Sequence, residues 1–136
     1  MTSHTQRRLV IADDSAEMRW FVRSAIGREF REVVEAADGR ELFWTLLRAQ
    51  FSDKPLDLRG LVIITDLYMP AYDGLDVLDA WGELDHRVPT ILITAFPSEA
   101  VRERAKALGI ALLPKPFSTT ALREALREVS HDQHDG

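Results

Sequence analysis

The sequence predicts an α/β fold in which a five-stranded parallel sheet is covered by helices on both faces. Short apolar segments alternate with segments whose apolar residues recur at helical spacing, and this βα pattern occurs five times. The central apolar segments, such as Leu61–Ile64, are continuous rather than alternating, which is typical of strands buried on both sides. A length of 136 residues suits one domain.

The first βα unit begins with the apolar run Leu9–Ala12, which ends at two aspartates. Apolar residues then recur three and four positions apart within Met18–Ile26, which predicts an amphipathic helix. Asp14 or Ser15 can cap this helix, and Gly27 lies near its expected end.

The second unit has a short strand over Glu32–Ala36, an Asp38-Gly39 turn and a helix whose apolar face runs from Leu42 to Leu47. The stretch Gln50–Gly60 contains a proline, mixed charge and a final glycine. We interpret it as a loop, either a tolerated surface insertion or a contact for a partner or a second copy.

The third and fourth units follow the same order. Leu61–Asp66 is a strand, Pro70 interrupts the chain, Asp73-Gly74 signals a turn, and Leu75–Trp81 is a short helix. Thr90–Thr94 is the next strand. Its helix opens at Pro97-Ser98, carries apolar residues at helical spacing and closes at Gly109.

The fifth unit consists of a strand over Ala111–Leu113 and a last helix that starts at Ser118 or Thr119. The residues after this helix are polar. We therefore expect a single domain over residues 1–130, a polar C-terminal tail over 131–136, and no output domain.

Composition narrows the class of protein. Hydrophobic residues make up 46% and charged residues 29%, which is a globular balance. A net charge of -5 gives no global basic field for nucleic acid, and no segment approaches the roughly 18 apolar residues of a membrane span. The lack of cysteine excludes disulfides and thiolate metal sites. We expect a cytoplasmic protein without direct contacts to nucleic acid or membrane.

Polar side chains follow four of the five predicted strands. Asp13-Asp14 end the first strand, Asp66 the third and Thr94 the fourth, and the fifth leads into Lys115. Ligands of parallel α/β sheets bind beyond the carboxyl ends of the strands, so these residues should meet. Three carboxylates repel one another, and oxygen ligands of this kind suit Mg²⁺. With Lys115 and Thr94, they form a cradle for a phosphoryl group, and a carboxylate is the candidate nucleophile.

This ordered set resembles a response regulator receiver domain of the CheY-like type over about residues 7–130. The resemblance implies a (βα)5 doubly wound, flavodoxin-like sheet with strand order 2-1-3-4-5. The motifs that carry it are Asp13-Asp14, Asp66 with Met69-Pro70, Asp73-Gly74, Thr94-Ala95 and Lys115-Pro116-Phe117.

The resemblance also implies roles for the site residues. Asp66 would accept a phosphoryl group from a sensor histidine kinase or a phosphotransfer protein. Asp14, Asp66 and the Tyr68 backbone carbonyl would bind Mg²⁺, with Asp13 helping, often through water. Such a domain catalyses only its own phosphorylation and dephosphorylation and is otherwise not an enzyme.

Lys115 and Thr94 would contact the phosphoryl oxygens, and the Lys115–Pro116 bond would be cis. Phosphorylation would change the face formed by the fourth helix, the fifth strand and the fifth helix, which would contact a downstream protein. Such proteins are monomers or phosphorylation-dependent dimers.

Three features depart from the family pattern. Leu112 stands where the family often has a switching Tyr or Phe, so its coupling to Thr94 could be weaker or the signal could leave by another route. Tyr68 and Phe96 occupy positions that tune phosphoryl lifetime, and we expect their rings to slow self-dephosphorylation. The Gln50–Gly60 segment is longer than in compact chemotaxis receivers.

Each site residue also has an ordinary interpretation as a helix cap, a turn residue, a strand residue or a solvated lysine. At the level of function, the alternatives are a receiver-like binding module that works without phosphorylation and a magnesium-dependent phosphohydrolase. The complete acidic set disfavours the first alternative. The adjacent Asp13-Asp14 pair, in place of a D-x-D motif, disfavours the second.

Overall fold

The structure, a computed structural model, describes residues 7–51, 60–82 and 88–135. Five parallel strands form one sheet with the order β2-β1-β3-β4-β5, which confirms the predicted fold class. The strands are β1 (Arg8–Ala12), β2 (Glu32–Ala36), β3 (Leu61–Asp66), β4 (Thr90–Thr94) and β5 (Ala111–Pro114). The helices are α1 (Ala16–Ile26), α2 (Gly39–Phe51), α3 (Gly74–Trp81), α4 (Glu99–Leu108) and α5 (Thr119–Asp135).

The hydrophobic core has one layer on each face of the sheet, because successive side chains of a strand point to opposite faces. Ile11 and Ile64 pack on the face covered by α1 and α5. Val10 and Ile63 pack on the face covered by α2, α3 and α4. Every residue of β3 and β4 is buried, which explains why both strands are continuous aliphatic runs.

Local polar residues set the helix ends. Ser15, rather than Asp14, caps α1 by accepting a hydrogen bond from the Met18 amide at 3.2 Å. Ser118 accepts from the Ala121 amide at 3.0 Å, so α5 begins at Thr119. The carboxylate of Asp14 therefore does not cap α1, and Asp14 lies just after the end of β1.

The helices differ from the prediction at two ends. Helix α2 continues through Phe51, so Gln50 and Phe51 are helical and not part of a loop. Phe51 lies four positions after Leu47 and so continues the apolar spacing of the helix, but the proline, mixed charge and glycine that follow favour a loop from Gln50 onward. Residues 52–59 of the predicted loop lie outside the described residues. Helix α5 extends to Asp135 and so includes most of the expected tail.

A short 3₁₀ turn over Gly27–Glu29 follows α1 and was not predicted. Strand β5 is one residue longer than predicted because Pro114 pairs with Thr94 of β4. None of the helices in the described part of the chain combines the length and apolar character that crossing a bilayer requires.

Candidate functional site

Three carboxylates meet at the carboxyl edge of the sheet, as the sequence predicted. Oxygen atoms of Asp13, Asp14 and Asp66 all lie within 4.8 Å of one another. Asp13 is 0% exposed and Asp66 only 6%, whereas Asp14 is exposed to solvent. The cluster therefore has a buried floor and an open rim. An ion or a phosphoryl donor could approach it from the side of Asp14.

Lys115 joins the buried part of the cluster from the end of β5. Its Nζ atom donates hydrogen bonds to Oδ2 of Asp13 and to Oδ2 of Asp66, each at 3.1 Å. The Lys115 amide donates to the Thr94 carbonyl at 2.8 Å, and the Lys115–Pro116 bond is cis, as the resemblance implies. One ammonium group thus links the ends of β1, β3 and β5.

The electrostatics of the cluster favour an added cation. Burial raises the pKa of Asp66 above its ordinary value, and the nearby charge of Asp13 acts in the same direction, against the hydrogen bond from Lys115. Burial alone would lower the pKa of Lys115, but its bonds to Asp13 and Asp66 outweigh burial and raise it. One ammonium only partly balances three carboxylates. This oxygen donor set therefore fits a hard divalent cation such as Mg²⁺.

The buried carboxylate of Asp13 is held in place by its own loop. Its Oδ1 atom accepts a hydrogen bond from the Ser15 amide at 2.8 Å. The Asp13 amide donates to the Ala36 carbonyl at the end of β2, at 3.0 Å. The turn after β1 is thereby fixed to the neighbouring strand.

Gly74 positions the loop that follows β3, a role that the sequence analysis missed. Its amide donates to the Leu67 carbonyl at 2.8 Å, and its Cα lies so close to the Asp66 carbonyl that an added Cβ would overlap that oxygen. The Thr65 hydroxyl also donates to the Asp66 carbonyl, at 2.9 Å. The Asp73-Gly74 pair, interpreted only as a turn, therefore holds the backbone of Asp66.

The same loop is fixed at its tip by Gly39 of α2. The Gly39 amide donates to the Pro70 carbonyl at 3.1 Å, and an added Cβ at Gly39 would overlap the Tyr72 carbonyl. Ala71, between Pro70 and Tyr72, has a φ of 76°, which is strained for a residue with a Cβ atom. Contacts from α2 and α3 thus hold the loop in its conformation.

Thr94 is fully buried at the end of β4, and its Oγ1 accepts a hydrogen bond from the Phe96 amide at 3.3 Å. The hydroxyl proton can still be donated to another group. Tyr68 and Phe96 lie in the loops after β3 and β4, and their side chains are 56% and 78% exposed. Both rings are therefore accessible on the surface, and their effect on phosphoryl lifetime remains a prediction.

Leu112 lies in the middle of β5, in register with Leu92 of β4. Its side chain is half-buried and packs against the core layer beneath α2, α3 and α4. It points into the sheet–helix interface and offers no polar group to Thr94. The structure therefore gives Leu112 a packing role, and the weaker coupling expected from the missing ring remains a prediction.

The family model, the curated relatives and the solved structures that match this chain all contain receiver domains. Residues 9–127 match the response regulator receiver domain family. The chain is 30% identical over 126 residues to the chemotaxis protein CheY of Thermotoga maritima, covering 91% of this chain and 98% of that protein. It is 32% identical over 127 residues to CheY1 of Helicobacter pylori, covering 90% and 95%. The solved structure of CheY4 of Vibrio cholerae aligns with a TM-score of 0.71 and 28% identity, over 90% and 98% of the two chains.

Proposed function

Because the chain belongs to the response regulator receiver domain family, a family of signalling domains, we propose that it is a phosphorylation switch whose phosphoacceptor is Asp66. The observation that carries the assignment is the position of one carboxylate. Asp66 ends the central strand β3, lies 3.1 Å from Lys115 and has two further carboxylates within 4.8 Å. This arrangement suits phosphoryl transfer to an aspartate.

In the proposed reaction, an Asp66 carboxylate oxygen attacks the phosphorus atom of a phosphohistidine or of a small acyl phosphate. A phosphorus–oxygen bond to Asp66 forms as the bond to the donor breaks, and the electron pair leaves with the donor. Lys115 already contacts Oδ2 of Asp66, so its ammonium group can move to a phosphoryl oxygen and balance the added charge. Thr94 can donate its hydroxyl proton to another phosphoryl oxygen.

Asp13, Asp14 and Asp66, together with the Tyr68 carbonyl, would hold a Mg²⁺ ion at the rim of the cluster. A bound Mg²⁺ would neutralise the carboxylates and the phosphoryl oxygens, which lets a negatively charged donor approach. Support for this set is the exposure of Asp14 beside two buried carboxylates. Asp13 already has two partners, the Ser15 amide and Lys115, which favours an indirect contact through water.

The proposed partners are a histidine kinase or phosphotransfer protein that supplies the phosphoryl group, and a downstream protein that reads the change. Strand β5 is an edge strand that contacts both α4 and α5, and it leads directly into Lys115. A shift of Lys115 toward a phosphoryl group would therefore pull on β5. This connection supports the α4–β5–α5 face as the output surface.

A mass measurement tests the phosphoacceptor. The protein is incubated with acetyl phosphate and Mg²⁺, and its intact mass is recorded for the wild type, for Asp66→Asn and for Asp76→Asn. Asp76 lies on α3 and pairs with Arg104 outside the acidic cluster, so its variant is the matched control. We expect an adduct of one phosphoryl group in the wild type and in Asp76→Asn, and none in Asp66→Asn.

Chelation of Mg²⁺ should abolish the adduct in both reactive proteins. An adduct of undiminished size in Asp66→Asn would contradict the assignment. So would a wild-type protein that acquires no phosphoryl group from acetyl phosphate or from a phosphorylated phosphotransfer protein.

A further inference from the structure

Arg19 is a charged residue of α1 that the structure largely buries. Only 16% of its side chain is exposed. Its Nη1 group donates a hydrogen bond to the Asp13 carbonyl at 2.6 Å, and its Nε group donates to Oε1 of Glu35 at 2.9 Å. The guanidinium therefore connects the turn after β1 to strand β2.

Glu35 fixes Arg19 in turn. It lies near the end of β2, and its other oxygen, Oε2, accepts a hydrogen bond from Arg23 at 2.8 Å. Burial alone would raise the pKa of Glu35, but the hydrogen bonds from Arg23 and Arg19 outweigh burial and lower it. Glu35 thus remains a carboxylate at neutral pH and bridges two arginines that lie about one helical turn apart.

The group that Arg19 holds is the peptide unit between Asp13 and Asp14. A peptide unit is planar, so fixing its carbonyl oxygen also fixes the direction in which the chain enters Asp14. Asp13 has further partners, because its side chain contacts Ser15 and Lys115. Asp14 is exposed, so the position of its carboxylate depends more strongly on this backbone.

We propose that Arg19 is a positioning residue that sets the Asp13–Asp14 peptide so that the Asp14 carboxylate faces a divalent cation. Arg19 contacts neither the cation nor the phosphoryl group in this role, and it acts through the backbone. The inference rests on the proposed function, since it presumes that the acidic cluster binds Mg²⁺. It adds a residue on α1 to the machinery at the strand ends.

The sign of the effect separates positioning from charge. The positive charge of Arg19 repels a cation bound nearby. If only Coulomb interactions mattered, removing that charge would therefore strengthen cation binding. Loss of a residue that orients a metal ligand instead weakens binding, commonly by about 10- to 100-fold. Arg19→Gln removes both the positive charge and the guanidinium that connects Asp13 to Glu35. The charge effect and the positioning effect therefore predict opposite changes in Mg²⁺ affinity.

The test is a titration of backbone amide signals with Mg²⁺, followed by NMR, for the wild type, Arg19→Gln, Arg19→Lys and Arg23→Gln. Arg23 is the matched control because it lies on the same helix and contacts the same Glu35 but makes no bond to Asp13. We expect about tenfold weaker Mg²⁺ binding in Arg19→Gln, partial recovery in Arg19→Lys and wild-type affinity in Arg23→Gln.

A second readout is the Mg²⁺ dependence of phosphorylation by acetyl phosphate. Arg19→Gln should need more Mg²⁺ for half-maximal phosphorylation and should reach the wild-type rate once Mg²⁺ saturates. A merely structural defect would lower the rate at every Mg²⁺ concentration. If Arg19→Gln does not fold, Arg19→Lys keeps the positive charge but loses the planar guanidinium that contacts both Asp13 and Glu35, and it should shift the Mg²⁺ dependence in the same direction by a smaller amount.

Equal or tighter Mg²⁺ binding in Arg19→Gln, with normal binding in the wild type, would overturn the positioning role and leave the proposed function intact. Failure of the proposed function looks different. In that case the wild type itself would show neither Mg²⁺ binding nor phosphorylation. That result would contradict both the proposed function and the positioning role of Arg19.

Discussion

The Asp66 carboxylate is almost fully buried, at the end of a strand whose other residues are apolar or partnered. Desolvation and the neighbouring Asp13 disfavour its charged form, and Lys115 favours it. The opposing effects leave the pKa raised, so the ionised side chain destabilises the folded protein unless a bound cation relieves the repulsion. A carboxylate in this state is suited to a reversible modification.

The raised pKa of Asp66 predicts how stability changes with pH. A carboxyl whose pKa is higher in the folded state than in the unfolded state binds more protons when folded, so its contribution to stability falls as pH rises above 3.8. Asp66→Asn removes this effect. With Mg²⁺ chelated, the variant should therefore gain stability relative to the wild type across the range from pH 3.8 up to the higher folded-state pKa of Asp66.

Urea unfolding of both proteins at several pH values within that range measures the difference. If the stability of Asp66→Asn relative to the wild type stays constant or decreases as pH rises, the pKa of Asp66 is not raised. Asp76→Asn, at an exposed position, serves as the control for loss of a negative charge.

The exposed rings of Tyr68 and Phe96 lead to a prediction about phosphoryl lifetime. If these rings hinder a water molecule that approaches in line, Tyr68→Asn combined with Phe96→Ala should hydrolyse the phosphoryl group severalfold faster than the wild type. Decay of the phosphorylated protein, followed by intact mass after removal of the donor, measures this rate. Trp44→Ala removes an exposed ring on α2 and should leave the rate unchanged. An unaltered rate in the double variant would refute the shielding role.

At the scale of elements, the loop between β3 and α3 is held by close backbone contacts as well as by the packing of Leu67 and Met69 in the core. Gly74 approaches the Asp66 carbonyl, and Gly39 approaches the Tyr72 carbonyl, at distances that only glycine allows. The strained φ of Ala71 lies between these contacts. The loop that follows Asp66 is therefore fixed at its ends by Gly74 and at its tip by Gly39, and its conformation depends on α2 and α3.

Gly74→Ala should therefore destabilise the protein by about 2 kcal/mol, because its Cβ would overlap backbone atoms that cannot move freely. Gly27→Ala is the matched control, since Gly27 has a helical φ of -59° and its added Cβ would meet the flexible side chain of Arg23 at 3.2 Å and Val33 at the ordinary van der Waals distance of 3.7 Å. The control should be neutral or stabilising by about 0.5 kcal/mol. Chemical unfolding of both variants measures these changes. Equal stabilities would refute the close-contact role of Gly74.

The elements themselves were largely predictable, for a physical reason. Strands β2, β3 and β4 have the bounds that the sequence predicted, and β3 and β4 contain aliphatic runs because both of their faces are buried. The prediction for the last turn of α2 was wrong, because the proline, mixed charge and glycine of Gln50–Gly60 favoured a loop although Phe51 lies at helical spacing from Leu47. The close approach of Gly74 to Asp66 was also hidden, because local sequence does not show which backbone segments meet.

At the scale of the whole molecule, the parallel sheet brings together residues that lie far apart in the chain. Asp13 and Lys115 are 102 positions apart and yet 3.1 Å from each other. The sequence predicted this convergence because the carboxyl ends of all parallel strands lie at one edge. It did not predict Arg19, since a charged residue on an amphipathic helix is normally solvated and only the tertiary fold buries it.

The central claim is that the acidic edge acts through Asp66, and chemical trapping with site mapping tests it most directly. The wild-type protein is phosphorylated with acetyl phosphate and Mg²⁺ and then treated with borohydride. Hydride reduces the acyl phosphate carbonyl to an alcohol and releases phosphate, so a phosphorylated aspartate becomes homoserine. Peptide mass spectrometry then locates the converted residue.

We predict conversion at position 66 alone, dependent on Mg²⁺ and absent in Asp66→Asn. Conversion at Asp13, Asp14 or another aspartate, with position 66 unmodified, would contradict the account.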